Sequence, residues 1–380
     1  MTGTRPAPAS FAARAVPRAL GLALVLATLP VIPRASAAQH PTRLRAELRL
    51  ASLYDSNILE YSDADRDAFR ARDPASRFAI ESLDDAVFSG TASVSISRRV
   101  VGARPSRLRY AFTRAAFVEN PIEDSRLHAV SLRQPLRRTG WVEVGYSRVP
   151  RSYVRHLWDE DFVTPYRYYP HYQAALYRSD RVRISGGFRA AAAWAVSGRV
   201  ARTAIDYSAA FEERDATAWE VAAACARGRE GAGAGSVALE ASYTHRDAEA
   251  TDTAHPAVPD SLRDDTSFDE WGLAVEAIAP PGRLRGLPIE CDARVEISRR
   301  RYTTDREADI DHHGRRDVAL VLGLDVEREI RRGIAVFGTW RFDSRNASGV
   351  AAAGPRAEVS DYTETRVGGG VRLSWSRRAP

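Results

Sequence analysis

The chain has 380 residues, 55 basic against 49 acidic groups, a formal net charge of +6 and two cysteines. Every basic residue is arginine, and four of them (Arg5, Arg14, Arg18, Arg34) precede position 38, so the remainder carries only about +2. A charge that small and that evenly spread argues against a nucleic-acid binder with one basic face. Two cysteines exclude a disulfide scaffold or a cysteine-rich zinc module.

In chain order, the first feature is an arginine-bearing leader, then an apolar stretch from Ala19 to Ile32 and the small residues Ala35-Ser36-Ala37. This pattern reads as a secretory signal over 1–37, cut after Ala37, leaving 38–380 as a single domain. The apolar run is shorter than the roughly 20 residues of a spanning helix, and no cysteine follows it for lipid attachment. No later segment is apolar over such a length. A membrane-embedded mature chain would therefore have to cross with strands, whose closure satisfies every backbone group.

From Arg43 onward the dominant period is two, the strand signature. Leu44, Ala46, Leu48 and Leu50 alternate with Arg43, Arg45, Glu47 and Arg49 and lead to Tyr54. Leu108, Tyr110 and Phe112 alternate with Arg107, Arg109 and small residues. Ile289, Cys291, Ala293, Val295 and Ile297 interleave with Glu290, Asp292, Arg294 and Glu296. Val318, Leu320, Leu322, Leu324 and Val326 make another apolar row, and Val367, Gly369, Val371, Leu373 and Trp375 close the chain.

These runs predict about fourteen strands near 43–54, 86–98, 107–117, 126–136, 141–151, 172–188, 194–207, 217–226, 236–245, 267–279, 288–300, 316–329, 334–343 and 363–376. The Ala-rich stretch from Gly186 to Tyr207 is poorly phased and leaves twelve or sixteen open. The connections alternate in length. Short or moderate basic and glycine-bearing ones fall near 137–140, 231–233, 280–282 and 331–333; long, mostly acidic ones fall near 55–85, 153–170, 245–266, 300–315 and 343–361. Runs of about ten residues with alternately short and long connections fit an all-β, antiparallel up-and-down transmembrane barrel better than a soluble sandwich. Tyr54, Phe117, Trp141, Tyr243, Phe268, Trp340 and Trp375 sit at strand ends and are expected to form its interfacial girdles.

With the apolar phase toward lipid, the polar phase faces a lumen. The lumen-facing candidates are Arg43, Arg45, Glu47, Arg49, Arg107, Arg109, Glu143, Arg181, Arg183, Glu240, Glu276, Asp292, Glu296, Asp325 and Arg372. So many charges require a wet or internally paired interior. Since both signs are present, strong ion selectivity is not expected. Cys225 and Cys291 fall on the apolar phase of strands that are not neighbours and read as small apolar residues.

No catalytic residue, cofactor or metal site emerges. His128 and Ser131 are three apart on a strand and so point to opposite faces. Asp309, Asp311, His312 and His313 read as a solvated loop rather than a hydrolytic or metal-binding cluster. Asp63-Ala64-Asp65-Arg66-Asp67 opens like a calcium loop but lacks the glycine at its sixth position and has Pro74 at its twelfth; it reads as surface acid.

Two stretches resemble porin-like outer-membrane barrels of Gram-negative bacteria. Tyr54-Asp55-Ser56-Asn57-Ile58 resembles the Tyr-Asp-Ser-Asn run that often ends their first strand. Ser344-Arg345-Asn346-Ala347-Ser348, Tyr362 and Gly370-Val371-Arg372-Leu373-Ser374-Trp375 resemble their last hairpin, although Ser376 to Pro380 follow the final aromatic. The resemblance implies a barrel in the outer membrane, in contact with its lipid and lipopolysaccharide and inserted by the barrel-insertion machinery. The expected function is passive diffusion of small hydrophilic solutes. The alternative is a non-conducting barrel whose long loops bind a surface, ligand or partner. Neither an enzymatic activity nor nucleic-acid binding is expected.

Overall fold

The computed structural model describes residues 42–72, 77–100, 104–136, 139–159, 171–228, 235–249, 265–279, 282–284, 287–307, 309, 311–349 and 361–379. The leader read from the sequence lies outside these residues, as do most of the loop near 245–266 and parts of those near 153–170 and 343–361.

The strands are β1 (Thr42–Asp55), β2 (Asp85–Arg98), β3 (Ser106–Phe117), β4 (Ser125–Leu136), β5 (Gly140–Trp158), β6 (Tyr172–Ala191) and β7 (Trp194–Tyr207). They continue as β8 (Ala216–Gly228), β9 (Ser236–Ala248), β10 (Phe268–Ile278), β11 (Gly282–Leu284), β12 (Leu287–Tyr302), β13 (Arg316–Arg331), β14 (Ile334–Ser348) and β15 (Tyr362–Ala379). Among the described residues one α-helix, α1 (Asp63–Ala71), lies in the first connection. Each strand pairs antiparallel with its chain neighbour, β15 returns to β1, and β10 pairs with β12, so 14 strands close a ring. The three residues of β11 only extend the β10–β12 turn. No helix among the described residues is long and apolar enough to cross a membrane.

The register defines the cylinder. Following partners once around, from Arg43 through Ser97, Arg107, Arg133, Glu143, Ser185 and Arg199, then Ala222, Ser242, Gly272, Ser298 and Ala319 to Arg345 and Tyr362, leads back to β1 well above the start. The stagger is about sixteen residues, which sets a strand tilt of roughly 40° and a backbone radius of about 13 Å. That radius leaves room for long side chains to project inward without meeting.

Every apolar row falls on one phase and stays accessible: Leu50, Ile96, Leu108, Val144, Ile184, Val221, Leu239, Leu273, Ile297 and Leu320 are all exposed large hydrophobics. The ring-closing register puts them side by side on the convex face, as with Leu48 between Ala92 and Leu373. In water such a surface would far exceed the few hundred Å² that soluble monomers tolerate, whereas acyl chains cover it at no cost. The polar phase points inward. This is why Arg49 of β1 reaches Asp325 of β13 at 3.7 Å across two intervening strands.

The rings at the strand ends divide between the faces. Tyr54, Trp340 and Trp375 of the expected girdles are outward and exposed, and Tyr243 packs on Trp271 with ring centroids 4.4 Å apart. Phe88, Trp219 and, at the opposite end, Trp194 join them. From Trp219 to Arg227, the partner of Trp194, β8 advances about eight residues, or about 20 Å along a tilted barrel axis, close to the height of a lipid-facing band. Phe117, Trp141 and Phe268 are a correction: all three lie on the inward phase. Phe117 packs against the first loop, Trp141 lies under Arg133 at 3.9 Å, and Phe268 is buried. Their odd or even position relative to each strand's apolar row decides the face, and nearness to a strand end does not.

Candidate functional site

The same register places Arg43, Arg45, Glu47, Arg49, Arg107, Arg109, Glu143, Arg181, Arg183, Glu240, Glu276, Asp292, Glu296, Asp325 and Arg372 on the inward phase. What the ring adds is a partition of sign. The arc formed by β1 to β7 presents Arg43, Arg45, Arg49, Arg107, Arg109, Arg133, Arg181, Arg183 and Arg199, interrupted by Glu47 and Glu143 and, at the mouth, by Asp55 and Asp85. The arc formed by β8 to β13 presents Glu220, Glu240, Glu270, Glu276, Glu290, Asp292, Glu296, Asp325 and Glu327, interrupted by Arg246, Arg294 and Arg300, and β14 and β15 between the arcs carry both signs in Arg341, Asp343, Glu364, Arg366 and Arg372. The basic run of strands early in the chain and the acidic run after it become, once the ring closes, two facing walls of opposite charge.

Ion pairs form where the two arcs meet, directly at one seam and through β15 at the other. At one seam Arg181 and Arg199 hold Glu220, the second at 2.7 Å, and Arg199 also reaches Glu240 at 3.1 Å. At the other, Arg49 meets Asp325 at 3.7 Å and Arg372 holds Glu327. Away from the seams the arginines outnumber the acids, although Arg183 holds Glu143 at 2.9 Å and Arg45 holds Glu47 at 3.0 Å. Arg107, Arg109, Arg133, Arg181 and Arg183 share a depression of about 460 Å³ in which Glu143 is the one carboxylate among the described lining residues. Arg109 donates to Ser93 Oγ at 3.2 Å instead of to an acid. Arg49 and Asp325 are 42% and 56% exposed, so the lumen is wet. Wet pairs of this kind contribute about 0–1 kcal/mol each and position charge more than they hold the fold together.

The first connection closes part of the long-loop mouth. Tyr54 ends β1, and the next three residues turn the chain inward. Asp55 is buried against Arg366 at 2.9 Å; Ser56 exchanges hydrogen bonds with Thr365 of β15. Asn57 is fully buried: its Nδ2 donates to the carbonyl oxygens of Tyr61 and Thr363 at 2.8 and 3.1 Å, and its Oδ1 accepts from Tyr61 N at 2.9 Å. Ile58, Leu59, Tyr61, Phe69, Phe78 and Ile80 then pack on Tyr153 of β5 as a small apolar core. Arg155 Nη2 donates to Leu59 O at 3.0 Å. Ile58, Leu59 and Glu60 share a cavity with inward residues of β7, β9, β10 and β12, so the loop lies within the mouth.

Several acids read as surface charge have structural work. Asp63 and Asp65 begin α1, whose N-cap is Ser62, with Oγ accepting from Asp65 N at 3.1 Å. Asp65 is buried against Arg77, while Asp63 and Asp67 stay exposed. Asp85 accepts from the backbone N–H groups of Val118, Glu119 and Asn120 at 2.8–3.1 Å. In the 303–315 connection, Asp309 binds His312 Nδ1 at 2.9 Å and Arg315 pairs with Asp317 at 2.8 Å, all buried. Asp309, His312 and Arg315 are thus internal braces rather than the solvated loop expected. No group of three or more metal-ligating side chains occurs among the described residues. His128 contacts Tyr110 on the outer face while Ser131 lines the lumen depression. Cys225 and Cys291 are free.

A closed antiparallel ring, an apolar convex face edged by aromatics and a charged wet interior define an outer-membrane-type β-barrel. No protein-family model matches the chain, and no curated protein sequence matches it. Among solved structures it is similar to the OmpT outer-membrane protein of Vibrio cholerae in its trimer form, at 10% identity over 88% of this chain and 99% of that one, TM-score 0.44. It is similar also to an anion-selective porin from Comamonas acidovorans, at 9% identity over 88% and 99%, TM-score 0.41. A bacterial polysaccharide outer membrane secretin aligns at 12% identity over 87% and 98%, TM-score 0.38.

Proposed function

We propose that the chain is exported to the outer membrane and acts there as a porin-like channel for passive diffusion of small hydrophilic solutes. The observation that carries this reading is the pair of facing, oppositely charged and solvated lumen walls. A polar solute passing between them keeps hydrogen-bond partners throughout, and a dipolar one is turned across the axis by the field between arginine and carboxylate rows. The first loop narrows the entrance and sets an upper size for what enters. Barrel-insertion machinery during assembly and lipopolysaccharide around the finished barrel are its expected partners, and no catalytic role is assigned.

Single-channel recording of the refolded protein in planar bilayers tests the reading, after a check that gel mobility shifts on heating. Discrete conductance steps are expected, and in a salt gradient Arg107→Gln with Arg109→Gln should move the reversal potential toward cation preference. Insertion without any conductance would remove the channel. A second reading is favoured by the apolar core of the first loop inside the mouth: a non-conducting barrel whose long loops bind a surface or ligand. Adhesion or ligand binding that vanishes on deletion of 57–83, in a barrel that never conducts, would establish it.

A further inference from the structure

Between the tucked first loop and the inward ends of β6, β7, β9, β10 and β12 lies a cavity of about 520 Å³. One wall is built on Phe268. The guanidinium carbons of Arg246 and Arg300 lie 6.0 and 4.0 Å from its ring centroid, and Tyr302 meets it edge-on at 6.1 Å. Arg300 is neutralised by Glu270 at 2.7 Å. Arg246 has no carboxylate among the described residues: its Nη2 donates to the Arg214 carbonyl oxygen at 3.4 Å, and its buried Nε has no acceptor. Thr266, only 8% exposed on the same wall, has an Oγ1 without a partner.

A buried polar atom left unmatched costs roughly 1–3 kcal/mol, so two on one cavity wall mark a place where something else completes the hydrogen bonding. Another part of the lining is aromatic. Tyr177 and Tyr207 lie with ring centroids 5.5 Å apart, beside Ile205, Leu59 and Tyr153. The carboxylates lining the cavity among the described residues are Glu60 and Glu123. Burial, with the Asp55 charge adding to it and Arg155 opposing, pushes Glu123 up to about 8 and leaves it largely protonated at neutral pH. Among the described lining residues the cavity therefore offers the Arg246 guanidinium without a carboxylate, the unmatched hydroxyls of Thr266 and Tyr153 and a group of aromatic rings, at a volume typical of small-molecule sites.

We infer that this cavity binds a small aromatic carboxylate, its acid group on Arg246 and Thr266 and its ring against the tyrosines. The inference rests on the channel reading for its purpose, as the first station of a permeating solute, but the site can be measured independently. Guanidinium and hydroxyl donors to a carboxylate make charge-assisted hydrogen bonds, and the tilted pair of tyrosine rings favours an aromatic body over a small ion.

The test is calorimetric titration of the full-length refolded barrel in detergent with sodium benzoate, benzyl alcohol and sodium acetate, alongside bilayer recording of the same preparation. Benzoate should bind at least about tenfold more tightly than either comparison probe, each lacking one half of the recognition. Arg246→Gln should weaken benzoate about tenfold and leave benzyl alcohol unchanged, with Arg246→Lys recovering part of the loss. Arg126→Gln, on the exposed convex face, should do nothing. Should Arg246→Gln fail the heat-mobility check, Thr266→Val provides the second variant, expected to weaken benzoate several-fold. Equal affinity for the three probes, or no benzoate binding by a barrel that conducts, overturns the site and leaves the channel. Benzoate binding by a barrel that does not conduct sustains the site and removes the channel.

Discussion

Asn57 fastens the first loop through three hydrogen bonds, all from or to one side-chain amide that water does not reach. Asn57→Ala would leave two carbonyl oxygens and the Tyr61 N–H without those partners and should cost about 2–4 kcal/mol of loop docking. The check is protease nicking between Ile58 and Leu83, which should accelerate while the barrel itself stays intact on heat-mobility gels. Glu123 is a second local control. Because burial raises its folded-state pKa to about 8 from an ordinary 4.5, the unfolded chain releases that proton first. Its contribution to stability is complete below about pH 4.5, falls as pH rises and is gone above about pH 8. Asp215, raised to about 6 by burial in the connection after β7, acts the same way over a lower window, from about 4 to 6. Thermal melting should therefore decline between pH 5 and 8, and Glu123→Gln should flatten the upper part of that decline. A wild-type melting temperature that rises over this window would contradict the assignment.

At the scale of elements, closure of the ring depends on how near β15 lies to β1. Gly370 sits opposite Ala51, and a methyl added there would overlap the Leu50 carbonyl oxygen, with Ala51 Cα at 2.8 Å. Gly370→Val should therefore hinder the β1–β15 pairing, seen as loss of the folded band after refolding, while Gly282→Ala, with open space around it, should refold normally. The strands themselves were legible from the residues. The predicted segment at 107–117 became Ser106–Phe117 and that at 316–329 became Arg316–Arg331, because a period-two pattern is local and needs no knowledge of a partner. The first connection was not legible in the same way. Its acids read as solvated charge because nothing local shows that Ser62 caps a helix whose Phe69 meets Phe78 at 5.5 Å, or that Asp85 turns toward the chain at Asn120.

For the whole molecule, the two faces make opposite demands on neighbouring residues. Leu324 is outward and exposed, and Asp325 beside it faces the lumen. Leu324→Arg should destabilise the barrel in lipid by about 2–4 kcal/mol, the penalty for a charge near the middle of the lipid-facing band. Asp325→Asn loses one exposed ion pair and should change stability by less than about 1 kcal/mol, while lowering preference for cations in a salt gradient. Urea unfolding from vesicles and reversal potentials, read on the same two variants, check both statements. Similar destabilisation by the two would mean that the faces are not distinct solvents.

The residues alone were enough for the antiparallel strand alternation, since it is carried by neighbours along one strand. Parity relative to each strand's apolar row also turns Phe117 and Phe268 inward. Closure of the ring decided the rest. It brought the mainly basic β1 to β7 to face the mainly acidic β8 to β13 across one lumen. It carried Thr363 to Asn57, and it put Arg246, Phe268 and Arg300 around one cavity. These depend on which strands lie across the lumen from one another, and that is a property of the cylinder's strand number and stagger, to which no single strand's pattern refers.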